Sequence, residues 1–285
     1  MLKNKAEKYL SSQPMKINDC LLKTYPKVRY FYCLGKNTNE QLYKNKIEIE
    51  IENIVVIIHG ISRNAKEIIS SFSNTVNNNT LLIAPLFSKK YATDYQRLGR
   101  KNKGPRADYI LQAIVNELQE KYQSNCRNIN LFGFSAGAQF AQRYAFAHPN
   151  HINKVAIVAA GWYTMPSLKL SYPFGLKLKD EFNDIEFDLQ RLLRVKFRVY
   201  IGEKDYFRDK SLNINKRIDA LQGLNRIERA KNWITHMESQ FNKYHINNQI
   251  NLVELHGVTH DFNDANNQAQ LSNKIYSWFF KANLP

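Results

Sequence analysis

The apolar pattern of the chain changes character near residue 54. Ahead of that point, VRYFYC (28–33) and KIEIEI (46–51) read as strands. The second alternates Ile47, Ile49 and Ile51 with Glu48, Glu50 and Glu52. Such alternation buries one face and wets the other, as at an antiparallel edge. Further on, IVVII (54–58), TLLIAP (80–85), NINLF (128–132), KVAIVAA (154–160), FRVYI (197–201) and INLVELH (250–256) are continuous apolar runs. Runs of that kind are expected of strands covered on both faces. Between them, RADYILQAIVNELQEKY (106–122) carries Ile110, Leu111, Ile114, Val115 and Leu118 at helical spacing. SAGAQFAQRYAFA (135–147), NRIERAKNWITHMESQFNKY (225–244) and most of 267–282 also read as helices.

Strand and helix in regular succession predict an α/β fold, a mostly parallel twisted sheet of about eight strands with helices on both faces. No linker divides the chain, so residues 1–285 are expected to form a single domain. Residues 1–26 are polar and irregular and read as a lead-in. Residues 161–195 lack the alternation and read as a cap-like excursion over one end of the sheet, and 86–105 is another irregular stretch. Segments that follow parallel strands are where sites are usually built.

Composition narrows the class. With 44% hydrophobic and 23% charged residues, disorder and collagen-like structure are excluded. The formal net charge of +16 raises the question of a nucleic-acid or anionic partner. However, the chain holds 27 Lys, 14 Arg and 32 Asn, and the basic residues are spread along it rather than gathered on one arm, so no nucleic-acid partner is expected. The local exception is 89–106, where Lys89, Lys90, Arg97, Arg100, Lys101, Lys103 and Arg106 face only Asp94. That stretch reads either as a solvated surface loop or as an overhang that attracts an acidic ester. Cys20, Cys33 and Cys126 make no metal-ligand spacing, and no metal or other cofactor is expected. No run approaches the length of a membrane span, and the first twenty residues have no apolar signal core, so a cytoplasmic protein is expected.

Candidate chemistry begins at GFSAG (133–137), which follows the strand NINLF and opens a helix. This is the G-x-S-x-G nucleophile elbow in the strand–turn–helix context that it requires. It makes Ser135 the candidate nucleophile. A serine hydroxyl needs a base, and the base needs an orienting carboxylate. Asp205 lies just beyond the strand FRVYI, and His260 lies on the loop after INLVELH, so both fall at the edge where Ser135 sits. Glu203, Asp209 and His256 are the weaker alternatives. An oxyanion hole needs two backbone N–H donors. Ala136, next after the serine, is one candidate, and Ile61, after His59-Gly60, is the other. His59 is expected to brace that loop.

These residues resemble the α/β-hydrolase superfamily, in particular its esterase and polyhydroxybutyrate-depolymerase-like group. The resemblance spans roughly residues 45–285 and rests on HGISRNA (59–65), GFSAGAQFAQRYA (133–145), AGWYTMP (160–166), GEKD (202–205) and GVTHDF (257–262). It implies ester hydrolysis through an acyl-enzyme, with Ser135, Asp205 and His260 as the triad. Secreted depolymerases of that group carry an export signal and often disulfides or a binding module. None is evident here, which points to a small or medium ester as substrate. Trp162, Tyr163 and Met165, after the strand KVAIVAA, are candidate substrate contacts, with packing of the excursion as the competing reading. Arg63 is a further candidate, with helix capping as its alternative. A prolyl-peptidase-like peptidase and a catalytically silent basic binding protein are the competing functional readings. Oligomeric state is not legible.

Overall fold

The computed structural model describes residues 15–35, 51–73, 75–76, 79–100, 104–178, 182 and 185–280. Its centre is one eight-stranded sheet made of β1 (Asn18–Leu21), β2 (Arg29–Leu34), β3 (Asn53–Ile58), β4 (Thr80–Leu86), β5 (Ile129–Phe134), β6 (Ile152–Val158), β7 (Lys196–Gly202) and β8 (Asn251–Leu255). The spatial order is β1-β2-β4-β3-β5-β6-β7-β8. β2 pairs antiparallel with both β1 and β4, and all pairs from β4 across to β8 are parallel.

Helices α1 (Ala65–Ser73), α2 (Ala107–Tyr122), α3 (Ala136–Ala147), α4 (Leu189–Leu192), α5 (Lys216–Gln222), α6 (Arg226–Lys243), α7 (Phe262–Ala269) and α8 (Leu271–Phe280), with short 3-10 turns at Tyr95–Arg97 and Pro149–His151, complete the described elements. The sheet separates two apolar layers. Ile54, Val56 and Ile58 face the layer that holds residues of α2, α3 and α6. Val55 and Ile57 face the layer that holds residues of α1, α7 and α8. Two-residue strand periodicity divides one β-branched run between the two layers, and each fully buried Val or Ile contributes roughly 1.5–3 kcal/mol.

Two expectations change. The lead-in contains a strand: Asp19 and Cys20 of β1 pair with Phe31 and Tyr30 of β2. Its residues alternate between partly buried and exposed, so only one side packs, and the sequence shows no long apolar run there. β8 is an edge strand, and of its five residues only Leu255 is buried. Its apolar run mimics a central strand because Leu252 and Val253 pack only partly against the layers. The predicted strand 46–51 lies outside the described residues except for Ile51, which is buried.

Candidate active site

Residues at the C-terminal ends of β3, β5, β6, β7 and β8 converge on Ser135. The elbow is built by close contact. A Cβ on Gly133 would lie 2.2 Å from the Gly137 carbonyl oxygen, and one on Gly137 would lie 2.3 Å from that of Ile58. Neither position tolerates a side chain without moving backbone. Ser135 is held at φ 54°, ψ −112°, and its N–H donates to the Val158 carbonyl at 2.8 Å. A non-glycine residue in such a conformation stores about 1–3 kcal/mol of strain, which the surrounding packing sustains.

The loops after β7 and β8 are joined to each other. Glu203 N–H donates to the Leu255 carbonyl, and Lys204 N–H donates to the Val258 carbonyl. Gly202 permits this approach, because a Cβ there would stand 2.4 Å from the Val258 oxygen. The result is a hydrogen-bonded line. His260 Nδ1 lies 2.8 Å from Asp205 Oδ2, and His260 Nε2 lies 3.0 Å from Ser135 Oγ. A carboxylate only accepts, so Nδ1 carries the proton and Nε2 is the acceptor that faces the serine hydroxyl. Asp205 is 2% exposed and Ser135 8%, while the Phe134 ring stacks on the imidazole at 5.2 Å. The weaker alternatives are occupied elsewhere: Glu203 pairs with His256 at 2.9 Å, and Asp209 pairs with Arg226 at 3.0 Å.

Arg226 is the member of this cluster that sequence reading missed. Fully buried, it donates from Nη1 to Asp205 Oδ1 at 2.9 Å, and it also bonds Asp209 and Ser211. It stands at the first position of α6, whose start is capped by Asn225: its Oδ1 accepts from Glu228 N–H at 3.0 Å, and the Glu228 carboxylate accepts from Leu224 N–H at 2.7 Å. Burial raises the Asp209 carboxyl, but its bonds to Arg226 and Ser211 outweigh that and hold it well below the usual range. The Asn225 cap was the only local signal here, and it locates the helix rather than the arginine's partner.

The Gly60 loop lies against the nucleophile. A Cβ on Gly60 would be 3.3 Å from the Phe134 ring and 3.5 Å from Ser135 Cβ. The N–H groups of Ile61 and Ala136 take part in no hydrogen bond among the described residues. Ala136 opens α3, so its amide is among those a helix leaves unsatisfied. His59 braces the loop as expected. Its Nε2 accepts from the Phe87 N–H at 3.0 Å, which puts the proton on Nδ1, 2.8 Å from the Gly60 carbonyl. Tyr95 Oη donates to the His59 carbonyl at 2.9 Å.

The candidate substrate contacts fare differently. Tyr163 and Met165 belong to the apolar core, and Trp162 is 3% exposed. Tyr163 stacks on Trp233 of α6 at 4.9 Å, and its backbone N–H and C=O both bond the Gln222 side chain. These three residues pack the excursion onto the sheet, because a buried indole and phenol contribute more area there than an open wall would use. Arg63 donates to the carbonyls of Phe87, Ile61 and Thr93, so its guanidinium ties the Gly60 loop to the 87–93 segment. Within the basic stretch, Arg100 pairs with Asp94 and Arg106 pairs with Asp108.

An eight-stranded, mostly parallel sheet that presents a strained elbow serine and a hydrogen-bonded His–Asp pair at its C-terminal edge is the α/β-hydrolase fold. Comparison with solved structures agrees. The chain is similar to poly(aspartic acid) hydrolase-1 from Sphingomonas sp. KT-1, with a TM-score of 0.75, 18% identity, and 94% of this chain and 100% of that one covered. It is also similar to LpqC, a poly(3-hydroxybutyrate) depolymerase from Bordetella parapertussis, with a TM-score of 0.72, 19% identity, and 97% and 92% covered. The fluorophosphonate-binding serine hydrolase FphF of Staphylococcus aureus follows at 0.60 and 12% identity, with 95% and 100% covered. At these identities the likeness is one of fold. No family profile and no curated protein sequence matches the chain. Among the described residues, no helix is long and apolar enough to cross a membrane.

Proposed function

We propose that the protein is a serine hydrolase that cleaves carboxylic esters through an acyl-enzyme intermediate. The observation that carries this reading is the line Ser135 Oγ–His260 Nε2 at 3.0 Å and His260 Nδ1–Asp205 Oδ2 at 2.8 Å. In this mechanism, His260 Nε2 takes the Ser135 proton as Oγ attacks the ester carbonyl. Asp205 keeps the imidazole in the reactive tautomer and balances the imidazolium that forms. The N–H groups of Ile61 and Ala136 receive the developing oxyanion. His260 then passes its proton to the leaving alcohol, and in the second half-reaction it draws a proton from the water that releases the acid.

The strained Ser135 backbone and the two unused amides support this assignment, since both belong to acyl transfer rather than to a silent binding fold. The test is a fluorophosphonate probe together with a panel of short-chain p-nitrophenyl esters. Wild type is expected to be labelled at Ser135 and to turn over esters. Ser135→Ala is expected to lose labelling and at least about a thousandfold in kcat, as removal of a triad nucleophile does. Ester turnover that survives Ser135→Ala at the wild-type rate overturns the reading.

A further inference from the structure

The region beside the Gly60 loop holds more positive charge than its partners neutralise. Four guanidinium groups converge there. Arg63 lies over the Tyr95 ring at 5.6 Å, and Arg97 and Arg143 both lie over the Trp162 ring, at 5.6 and 4.3 Å. Arg100 pairs with Asp94 at 2.5 Å, and the same carboxylate lies 4.0 Å from Arg97. Among the described residues, Asp94 is the only carboxylate that pairs with any of these four. Lys89 and Lys90, on the same segment, are exposed.

Arg143 is wholly buried. Its Nε donates to Thr164 Oγ1 at 2.9 Å, and Nη1 donates to the Gln96 carbonyl at 2.6 Å and to Gln139 Oε1 at 3.3 Å. Nη2 has no partner among the described residues, and neither has Arg97 Nε. Burial pushes the Arg143 guanidinium down to about 10, and the charge on Arg97 adds to that. Two cations over one indole, repelling each other and each with an unpartnered N–H, are costly to keep beyond what the nearby Asp94 offsets. Solvent reaches Arg100, 48% exposed, and Arg97, 31% exposed; Arg100 is taken up by Asp94 at 2.5 Å, which leaves Arg97, 4.0 Å from that carboxylate, to meet a ligand.

The cluster adjoins the reaction site. Gln139 and Arg143 are neighbours four apart on α3, the helix that Ser135 caps, and Arg143 stands about 12 Å along it from the serine. On the other side, the short turn Tyr95–Arg97 is tied to the Gly60 loop through the Tyr95–His59 bond. Both connections put the cluster on the elements that flank Ser135.

We propose that Arg97, with Arg143 and Trp162 behind it, forms an anion subsite that selects esters carrying a free carboxylate distal to the scissile bond. This deepens the ester-hydrolase reading and rests on it. The four guanidiniums supply the field, Arg97 supplies the direct ion pair, and Asp94 limits the excess. A neutral ester of the same length lacks this attraction and leaves the cations uncompensated.

The experiment compares monoethyl adipate and monoethyl suberate with their diethyl esters by pH-stat, alongside fluorophosphonate labelling. Wild type is expected to favour the monoesters by about tenfold or more in kcat/KM at low salt, with the preference shrinking as ionic strength rises. Arg97→Gln is expected to lower the monoester-to-diester ratio about tenfold, chiefly through KM, and Arg97→Lys to retain part of it. Asp94→Asn, which removes the counter-charge, is expected to shift the ratio the other way. Equal use of monoester and diester by a labelled, active wild type overturns the subsite and leaves the hydrolase reading standing. A ratio unmoved by both Arg97→Gln and Asp94→Asn also overturns it. A wild type with neither labelling nor ester turnover sinks the underlying reading instead.

Discussion

Arg226 Nη1 lies 2.9 Å from Asp205 Oδ1, while the other oxygen of that carboxylate faces His260 Nδ1. The aspartate is thereby held from both sides, by a cation below and by the imidazole above. Removal of Arg226 leaves two carboxylates, the buried Asp205 and the exposed Asp209, without their charge partner. Arg226→Met is expected to lose about 3–5 kcal/mol of stability, the usual cost of breaking a buried pair on one side. Arg226→Lys keeps the charge but not the fork that reaches both carboxylates, so it should lose less stability and still lower kcat. Urea unfolding and ester kinetics on both variants check this, and a Met variant as stable as wild type contradicts it.

Ser135 pays for its position with backbone strain, and the strain and the chemistry are separable. Ser135→Gly removes the side chain from a residue held at φ 54°. It is expected to abolish labelling and turnover while raising stability by about 1 kcal/mol, since glycine adopts this conformation freely. A calorimetric melting temperature below that of wild type would count against strain at the elbow.

His59 confers a pH dependence on folding that is distinct from the pH dependence of catalysis. Burial lowers its pKa from 6.5 to about 4, the Arg63 charge adds to that, and the bond to the Gly60 carbonyl opposes it only in part. Because the folded value lies below the unfolded one, acid favours the unfolded chain, which takes up a proton that the folded chain refuses. The contribution is fully present above pH 6.5 and is lost as the pH falls toward 4, up to about 3 kcal/mol. Protonation of Nε2 also removes the bond from the Phe87 N–H and so releases the Gly60 loop. Urea unfolding between pH 7.5 and 4 is expected to show this slope in wild type and a flatter one in His59→Gln.

Tyr163 separates a packing role from a substrate role. Its hydroxyl is buried and has no hydrogen-bond partner among the described residues. Burial also pushes the phenol pKa far above its ordinary range, with the Asp205 charge adding to it. Tyr163→Phe removes an unsatisfied polar group without changing the ring that stacks on Trp233. Stability is expected to rise by about 1 kcal/mol with KM unchanged. A several-fold rise in KM would restore Tyr163 to the substrate wall.

Much of the fold was legible because its signals are local. β-branched runs mark strands buried between two layers, and the spacing of Ile110, Leu111, Ile114, Val115 and Leu118 marks α2. The elbow glycines advertise a turn whose backbone contacts exclude any Cβ. The chain order of Ser135, Asp205 and His260 follows from which strand end each one trails, so their meeting is foreseeable once the strands are parallel. β1 and the edge position of β8 were not foreseeable in this way. A strand's neighbours are set by pairing across the sheet, and a half-covered strand can carry the same apolar letters as a central one.

The sequence by itself determined the alternation of elements, the elbow and the three side chains at its edge, since each depends on residues within a few positions of one another. The tertiary structure alone decided that Arg226 reaches Asp205 and Asp209 across 21 and 17 positions. It also decided that Trp162, Tyr163 and Met165 are core, and that the cations around Trp162 outnumber their partners. Burial and ion pairing are properties of the space between elements, and no periodicity along the chain encodes which charge will face which.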